Sequence, residues 1–402
     1  MNFSYLSILQ IFIIVFPLLT YPYLIRVIGL ELYGVVLYGQ TLMTYVSLLI
    51  NFGFNMSSSR EVAIHRENPT ELSRIVSTTY FCKFLLWLLC AGLYFTVISI
   101  VPFFQEYYWV YALSYMLTIN ELLLPIWFFQ GIEKMKYITL VNVSTRLIFV
   151  VAIFVVVHHR EDYLYVPLLN GIGSLFGGLM ALYIVIRKER VPLRLPRLSD
   201  IKGGFSASLP LFVSTLSTQL YANVNKLVVG TFLGMSEVTI YDLGEKIVRL
   251  IKIPVQMISQ TTFPKISRER NIGFLNRLMR ILGLTVSFIY VLLFILSPWI
   301  VKVFTGMELP MATDVMRILG ISVIFSSLNL FMGGNRLVPF GHSKIYMRVM
   351  VQNCLSYFVC LALLYFIGGI DVYTISLLSI FVEIVCCAQL LYWNNRLGIL
   401  RK

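Results

Sequence analysis

Asp242, Glu245, Lys246, Arg249 and Lys252 follow one another at steps of three, one, three and three residues. That spacing gathers them on one face of an α-helix. Such a face can bind a charged ligand, carry a coupling ion, or neutralise itself in pairs. The apolar setting sharpens the choice, because a charge in a bilayer costs about 3 kcal/mol on insertion scales and so tends to face a cavity or a partner. Glu121, Arg146, Lys226, Asp314, Arg317 and Glu383 are further charges within apolar runs. Lys226 and Arg146 have no opposite charge at helical spacing, whereas Glu245 with Arg249 and Asp314 with Arg317 are local pairs that can simply cancel.

Polar stripes accompany these charges. Ser214, Thr218, Tyr221 and Asn225 share one helical face, and Ser322, Ser326 and Asn329 share another, which predicts a wet central cavity. Arg146, Lys226, Arg249, Lys252, Tyr221 and Asn225 are the candidate substrate ligands. Glu121, Glu245, Asp314, Arg317 and Glu383 are candidate ion-coupling groups or charge pairs.

Catalytic motifs are missing: the sequence has no phosphate loop, no H-E-x-x-H and no G-x-S-x-G. The expectation is a protein that is not an enzyme and uses no cofactor or metal. Gly171, Gly173, Gly177 and Gly178 superficially match a dinucleotide fingerprint, but they lie in an apolar run, where small residues allow close helix packing. The six cysteines sit in apolar segments without ligand spacing, and read as small core residues. His158 and His159 beside Glu161 and Asp162 read as a solvated loop.

The elements that position these residues follow from composition. Of 402 residues 58% are hydrophobic and 13% charged, against about 25% charged in soluble domains. A spanning helix needs about 20 apolar residues. That ruler predicts an all-α, polytopic membrane protein of twelve helices near 3–28, 32–56, 76–101, 107–129, 137–157, 164–186, 205–232, 237–260, 278–302, 310–333, 345–367 and 372–393. They divide into two six-helix, pseudo-symmetric lobes, 1–186 and 205–402, around the cavity, joined by a basic linker at 187–204. A faint repeat supports the division: Tyr33 to Arg60 and Tyr241 to Arg268 span the same interval, each after a Gly and before a Glu.

The net charge of +13 does not indicate nucleic acid, because the cations lie in short loops between apolar runs. With the N-terminus inside, Lys83, the linker cations, Arg336 and most others fall in inner loops, and Arg26, Arg160 and Lys302 fall outside. Both termini are therefore expected on the cytoplasmic side. Pro17, Pro22, Pro125 and Pro254 interrupt helical hydrogen bonding, as static kinks or as hinges.

Tyr21-Pro-Tyr-Leu-Ile-Arg-Val-Ile-Gly29, Glu31 with Tyr33-Gly34, and Asn51-Phe-Gly-Phe54 through Ser59-Arg-Glu-Val-Ala63 resemble the opening of the Wzx-type polysaccharide flippases. Phe263-Pro-Lys-Ile-Ser267 and the run from Pro298 to Gly306 resemble that family's second half. The resemblance implies membership of the multidrug/oligosaccharidyl-lipid/polysaccharide exporter superfamily and a place in the bacterial inner membrane. It further implies transfer of undecaprenyl-pyrophosphate-linked sugar repeat units between leaflets for O-antigen, capsule or exopolysaccharide. Membrane lipids, the lipid-linked oligosaccharide, a polymerase and a chain-length regulator are the implied partners. Asn225 stands where an acidic neighbour of Lys226 is expected. The alternatives are a multidrug exporter of organic cations, which should carry an acidic cavity, and a polymerase or ligase, which should carry a larger outer loop.

Overall fold

The computed structural model describes residues 2–400, with side chains at all but residues 2–11, 13–15, 214, 217, 218, 221 and 222. Every regular element among them is helical. A chain this apolar in lipid must satisfy its backbone internally, and helices do so. The long elements are α1 (Asn2–Ile28), α2 (Leu30–Asn51), α3 (Phe54–His65), α4 (Pro69–Ile100), α5 (Tyr108–Gly131), α6 (Met135–Val156) and α7 (Arg160–Lys188). There follow α8 (Leu198–Phe232), α9 (Met235–Glu269), α10 (Ile272–Thr305), α11 (Pro310–Leu337), α12 (Ser343–Ile367) and α13 (Val372–Arg396). Nine of these runs are long and apolar enough to cross a membrane, judged on the described residues. Helices α1, α3, α8 and α9 are not among the nine; α3 has only 12 residues, α9 is diluted by its own charges, and α1 is searched only in part, over Phe16–Ile28.

The chain contacts form two compact units, Met1–Leu220 and Tyr221–Lys402. The division falls inside α8, beyond the expected linker, because the first part of α8 is tied to the first unit. Ser208 hydrogen-bonds Ser57 at 2.6 Å, the Tyr45 hydroxyl donates to the Leu220 carbonyl at 2.8 Å, and Phe212 stacks on Phe52 at 4.5 Å.

Two predicted helices of the first unit are broken. At Phe52 and Gly53 the backbone turns left-handed, with φ 45° and 79°, which separates α2 from α3. Only glycine fits there: a Cβ on Gly53 would lie 2.7 Å from the Ser208 carbonyl oxygen. The other break is at Leu124–Pro125 in α5. Pro125 has no N–H, so the Glu121 carbonyl four residues earlier loses its helical donor. Lys83 supplies one at 3.2 Å, and the Tyr80 hydroxyl donates to the Leu123 carbonyl at 3.2 Å. Pro17, Pro22 and Pro254 lie inside uninterrupted helices.

Lys83 is thus not a loop cation. Its side chain is 1% exposed in the middle of α4. Arg336 is also no loop residue: it is fully buried at the wide, π-helical end of α11, where its guanidinium donates to Asn276. The Asp162 carboxylate accepts from the backbone of His158 and His159 at 2.9 and 2.8 Å, so this short segment is held by backbone bonds.

The glycines of α7 serve packing. A Cβ on Gly177 would sit 2.0 Å from Thr145 Oγ1 on α6, and one on Gly178 2.6 Å from Leu123 Cβ. Gly177→Val should force α6 and α7 apart and cost about 1 to 3 kcal/mol. The checking measurement is a lower thermal midpoint of the purified protein; an unchanged midpoint would contradict this packing.

The segment after α7 is strapped along α4. Ser73 Oγ donates to the Pro192 carbonyl at 2.5 Å, the Arg194 backbone N–H donates to Ser77 Oγ at 2.9 Å, and Arg74 pairs with Asp200 at 3.1 Å. Lys134 and Glu189 pair at 2.6 Å nearby.

Candidate functional site

Lys226 on α8 reaches between two carboxylates of α9, 2.9 Å from Asp242 and 3.0 Å from Glu245. Asp242 also holds Lys246 at 2.9 Å, and Glu245 holds Arg249 at 2.6 Å. The result is one alternating chain, Lys246–Asp242–Lys226–Glu245–Arg249. The spacing on α9 explains its form, since Asp242 with Lys246 and Glu245 with Arg249 are both i, i+4 pairs, which sit one turn apart on a helix face. The turn at Leu233–Gly234 folds α8 back so that Lys226 meets that face. Gly234 adopts φ 145° there, ahead of α9, as Gly29 adopts φ 85° ahead of α2.

Three cations against two carboxylates leave one positive charge in excess. It is graded by depth, with Asp242 3% and Lys226 12% exposed, against 58% for Arg249. An anion approaching from the Arg249 end meets a cation first, while the inner carboxylates stay compensated.

Asn225 is the root of this arrangement. Its amide donates to the Tyr241 hydroxyl at 2.7 Å and to Ser379 Oγ at 2.9 Å, and its carbonyl accepts from the Tyr357 hydroxyl. Four helices, α8, α9, α12 and α13, are pinned by one side chain. Both amide hydrogens are committed, so Asn225 fixes the orientation of Lys226 and has no donor left for a ligand. The expected side-chain stripe of Ser214, Thr218 and Tyr221 lies outside the described side chains.

The remaining candidates separate by place. Glu121 is paired with Lys83 at 2.7 Å, and Asn55 accepts from the same ammonium at 3.3 Å. Asp314 and Arg317 stand 3.6 Å apart as a local pair, and Arg317 also donates to Ser297 Oγ at 3.0 Å and lies over the Phe294 ring. The Lys83–Glu121 pair joins α4 to α5, and Arg317 ties α11 to α10 through Ser297. Arg146, half-buried in the middle of α6, makes no hydrogen bond or ion pair among the described residues.

Lys252 and Glu383 open onto one cavity of about 260 Å³ in the second unit, walled by α9, α11, α12 and α13. Asn329 donates to the Glu383 carboxylate at 2.7 Å and to its carbonyl at 3.0 Å. Asn329 Oδ1, Ser327 Oγ and Asn353 Oδ1 are buried there without a partner among the described residues.

Local spacing leaves three of these relations unseen. Asp242 and Glu245 were visible as members of the α9 face, but not as the partners of Lys226. Lys83 carried one usable signal, a lone cation followed by a long apolar run. Asn353 carried none.

A family profile described as "Polysaccharide biosynthesis protein" matches residues 1–269. Two proteins described as "Putative O-antigen transporter" are similar over most of the chain. That of Escherichia coli (strain K12) is 23% identical, covering 87% of this chain and 86% of its own. That of Shigella dysenteriae is 24% identical, covering 88% and 90%. Among solved structures, an inward-facing multidrug resistance MATE family transporter of the MOP superfamily superposes with a TM-score of 0.73 at 14% identity, covering 100% of this chain and 99% of that one. The lipid II flippase MurJ, in an inward closed conformation, gives 0.72 at 16% identity, covering 98% and 89%. At such identity these structures speak for the all-helical transporter fold alone.

Proposed function

Because the chain belongs to the polysaccharide biosynthesis protein family, we propose that it is a membrane flippase for lipid-linked oligosaccharides, and not an enzyme. The observation that carries the reading is the alternating charge chain with one cation in excess. An undecaprenyl-pyrophosphate head brings about two negative charges, which buried and half-buried cations would bind as charge-assisted hydrogen bonds. Arg249 receives it, and Lys252 lies three residues further along the same face; Arg146 of the first unit is a separate candidate contact. The curated relatives described as O-antigen transporters support this substrate class. An excess of cations disfavours the alternative, an exporter of organic cations.

In this reading all twelve segments span the cytoplasmic membrane of a bacterium with both termini inside, and two lobes alternate access. Transfer then needs no nucleotide: moving two negative charges outward is favourable by about 4 to 5 kcal/mol per 100 mV, inside negative. A polymerase and a chain-length regulator would take up the product.

The test is deletion of the gene and complementation, scored by surface polysaccharide and by accumulation of unflipped lipid-linked repeat units. Accumulation in the deletion strain that the wild-type gene relieves supports the reading; no accumulation removes it. Arg146→Gln should lower export about tenfold, as expected for loss of one charged contact. Its thermal midpoint should stay near wild type, because the guanidinium holds no partner within the described fold.

A further inference from the structure

The cavity walled by α9, α11, α12 and α13 has a chemistry of its own. Its volume of about 260 Å³ far exceeds the roughly 10–15 Å³ that a single water needs by the same measure. A desolvated hard cation draws its oxygen ligands to about 2.3–2.6 Å and closes a far smaller hole. The lining is polar: Ser327 Oγ, Asn329 Oδ1 and Asn353 Oδ1 are buried without a partner among the described residues, beside Gln256 and Ser326. Buried polar atoms left alone are costly, so such a site suits a polar ligand.

Among the described residues the lining holds one cation, Lys252, and one carboxylate, Glu383. The lining also holds one aromatic side chain, Tyr346, whose ring is wedged against Gly333, where a Cβ would lie 2.4 Å from Tyr346 Cε2. The α11 backbone widens into π-helical turns from Leu330, at the cavity wall. Such bulges recur at functional sites.

We propose that this cavity is a pocket for one neutral pyranose residue of the transported oligosaccharide. The pocket rests on the flippase reading for its biological role, though its binding chemistry is testable apart from transport. A pyranose presents several hydroxyls to the polar side chains of the lining, Gln256 and Ser326 among them, and an apolar ring face to Tyr346. With a cation and a carboxylate both in the lining, a sugar of either charge would meet a like-charged side chain.

The experiment is saturation-transfer difference NMR on the full chain in lipid nanodiscs. The probes are methyl glucopyranoside, methyl galactopyranoside, methyl rhamnopyranoside and methyl N-acetylglucosaminide, with methyl glucuronoside and glycerol as controls. At least one neutral pyranoside should show saturation transfer at millimolar concentration. Ser327→Leu, which fills the cavity, should reduce that signal at least fivefold, as should Gln256→Leu at its exposed mouth. Arg268→Gln, at the exposed end of α9, should leave it unchanged. Two variants at different depths, each checked for an intact thermal midpoint, separate loss of the pocket from loss of fold.

No transfer from any neutral pyranoside, transfer equal to that of glycerol, or a signal indifferent to both cavity variants overturns the proposal. So does binding confined to the glucuronoside. Failure of complementation with intact pyranoside binding would reject the transport reading and leave the pocket; complementation without pyranoside binding would do the reverse.

Discussion

Lys83→Met is expected to remove most of the folded protein from the membrane fraction. The ammonium is 1% exposed and holds the Glu121 carboxylate, the Asn55 side chain and the carbonyl of Glu121 that Pro125 leaves without a donor. Deleting one partner of a buried ion pair leaves an uncompensated charge and costs about 3 to 5 kcal/mol. The orphaned carbonyl adds about 1 to 3 kcal/mol. Glu121→Gln combined with Lys83→Met should recover part of the loss, because the charge penalty disappears and only unmet hydrogen bonds remain. Detergent-solubilised protein, scored by size exclusion and thermal midpoint, decides the matter. A stable single variant, or a double variant worse than the single, would show that the pair does not hold the two broken helices.

Lys226→Met should behave in the opposite way. Here each carboxylate keeps a cation when Lys226 goes, Asp242 with Lys246 and Glu245 with Arg249. The fold therefore loses only part of its compensation, while the excess positive charge at the site falls to zero. Export should drop about 10- to 100-fold, the value of one charged hydrogen bond of about 1.5 to 3 kcal/mol, with the protein still inserted at near-normal level. Lys226→Arg should retain a measurable fraction, since the charge persists. Near-normal surface polysaccharide in Lys226→Met, with the deletion strain blocked, would remove the anion-site role of this chain of charges.

The contrast between these two lysines marks where the sequence is readable. Apolar runs of membrane length announced most of the helices, and the face of α9 announced its charges, because both depend on spacing within one element. Pro125 announced a weakness in α5, though whether it would break or bend depended on Lys83 and Tyr80 standing ready on α4. Gly53 announced nothing: a glycine in an apolar run reads equally as packing, and its left-handed φ follows from the approach of α8.

Pairing across elements was the main loss. Lys226 looked partnerless because Asp242 lies 16 residues away, beyond a turn. Its distance along the chain says nothing about which faces of two long helices will meet. Asn225 read as a missing acid beside Lys226; the acid is supplied instead from α9, and the amide ties four helices. The pocket around Glu383 draws on four separate helices, so no stretch of sequence contains its pattern.

The strap from Pro192 to Asp200 along α4 bears on the order in which the chain is made. Ser73, Arg74 and Ser77 emerge early in synthesis, yet the groups they bind are made more than 110 residues later. The first unit therefore cannot be finished when its last apolar run is inserted. It closes only as the opening of α8 leaves the ribosome, so completion of one half coincides with commencement of the other. A chain terminated near residue 186 would carry every apolar run of the first half and still display an unsatisfied edge on α4, a mark by which quality-control proteases can recognise an unfinished product.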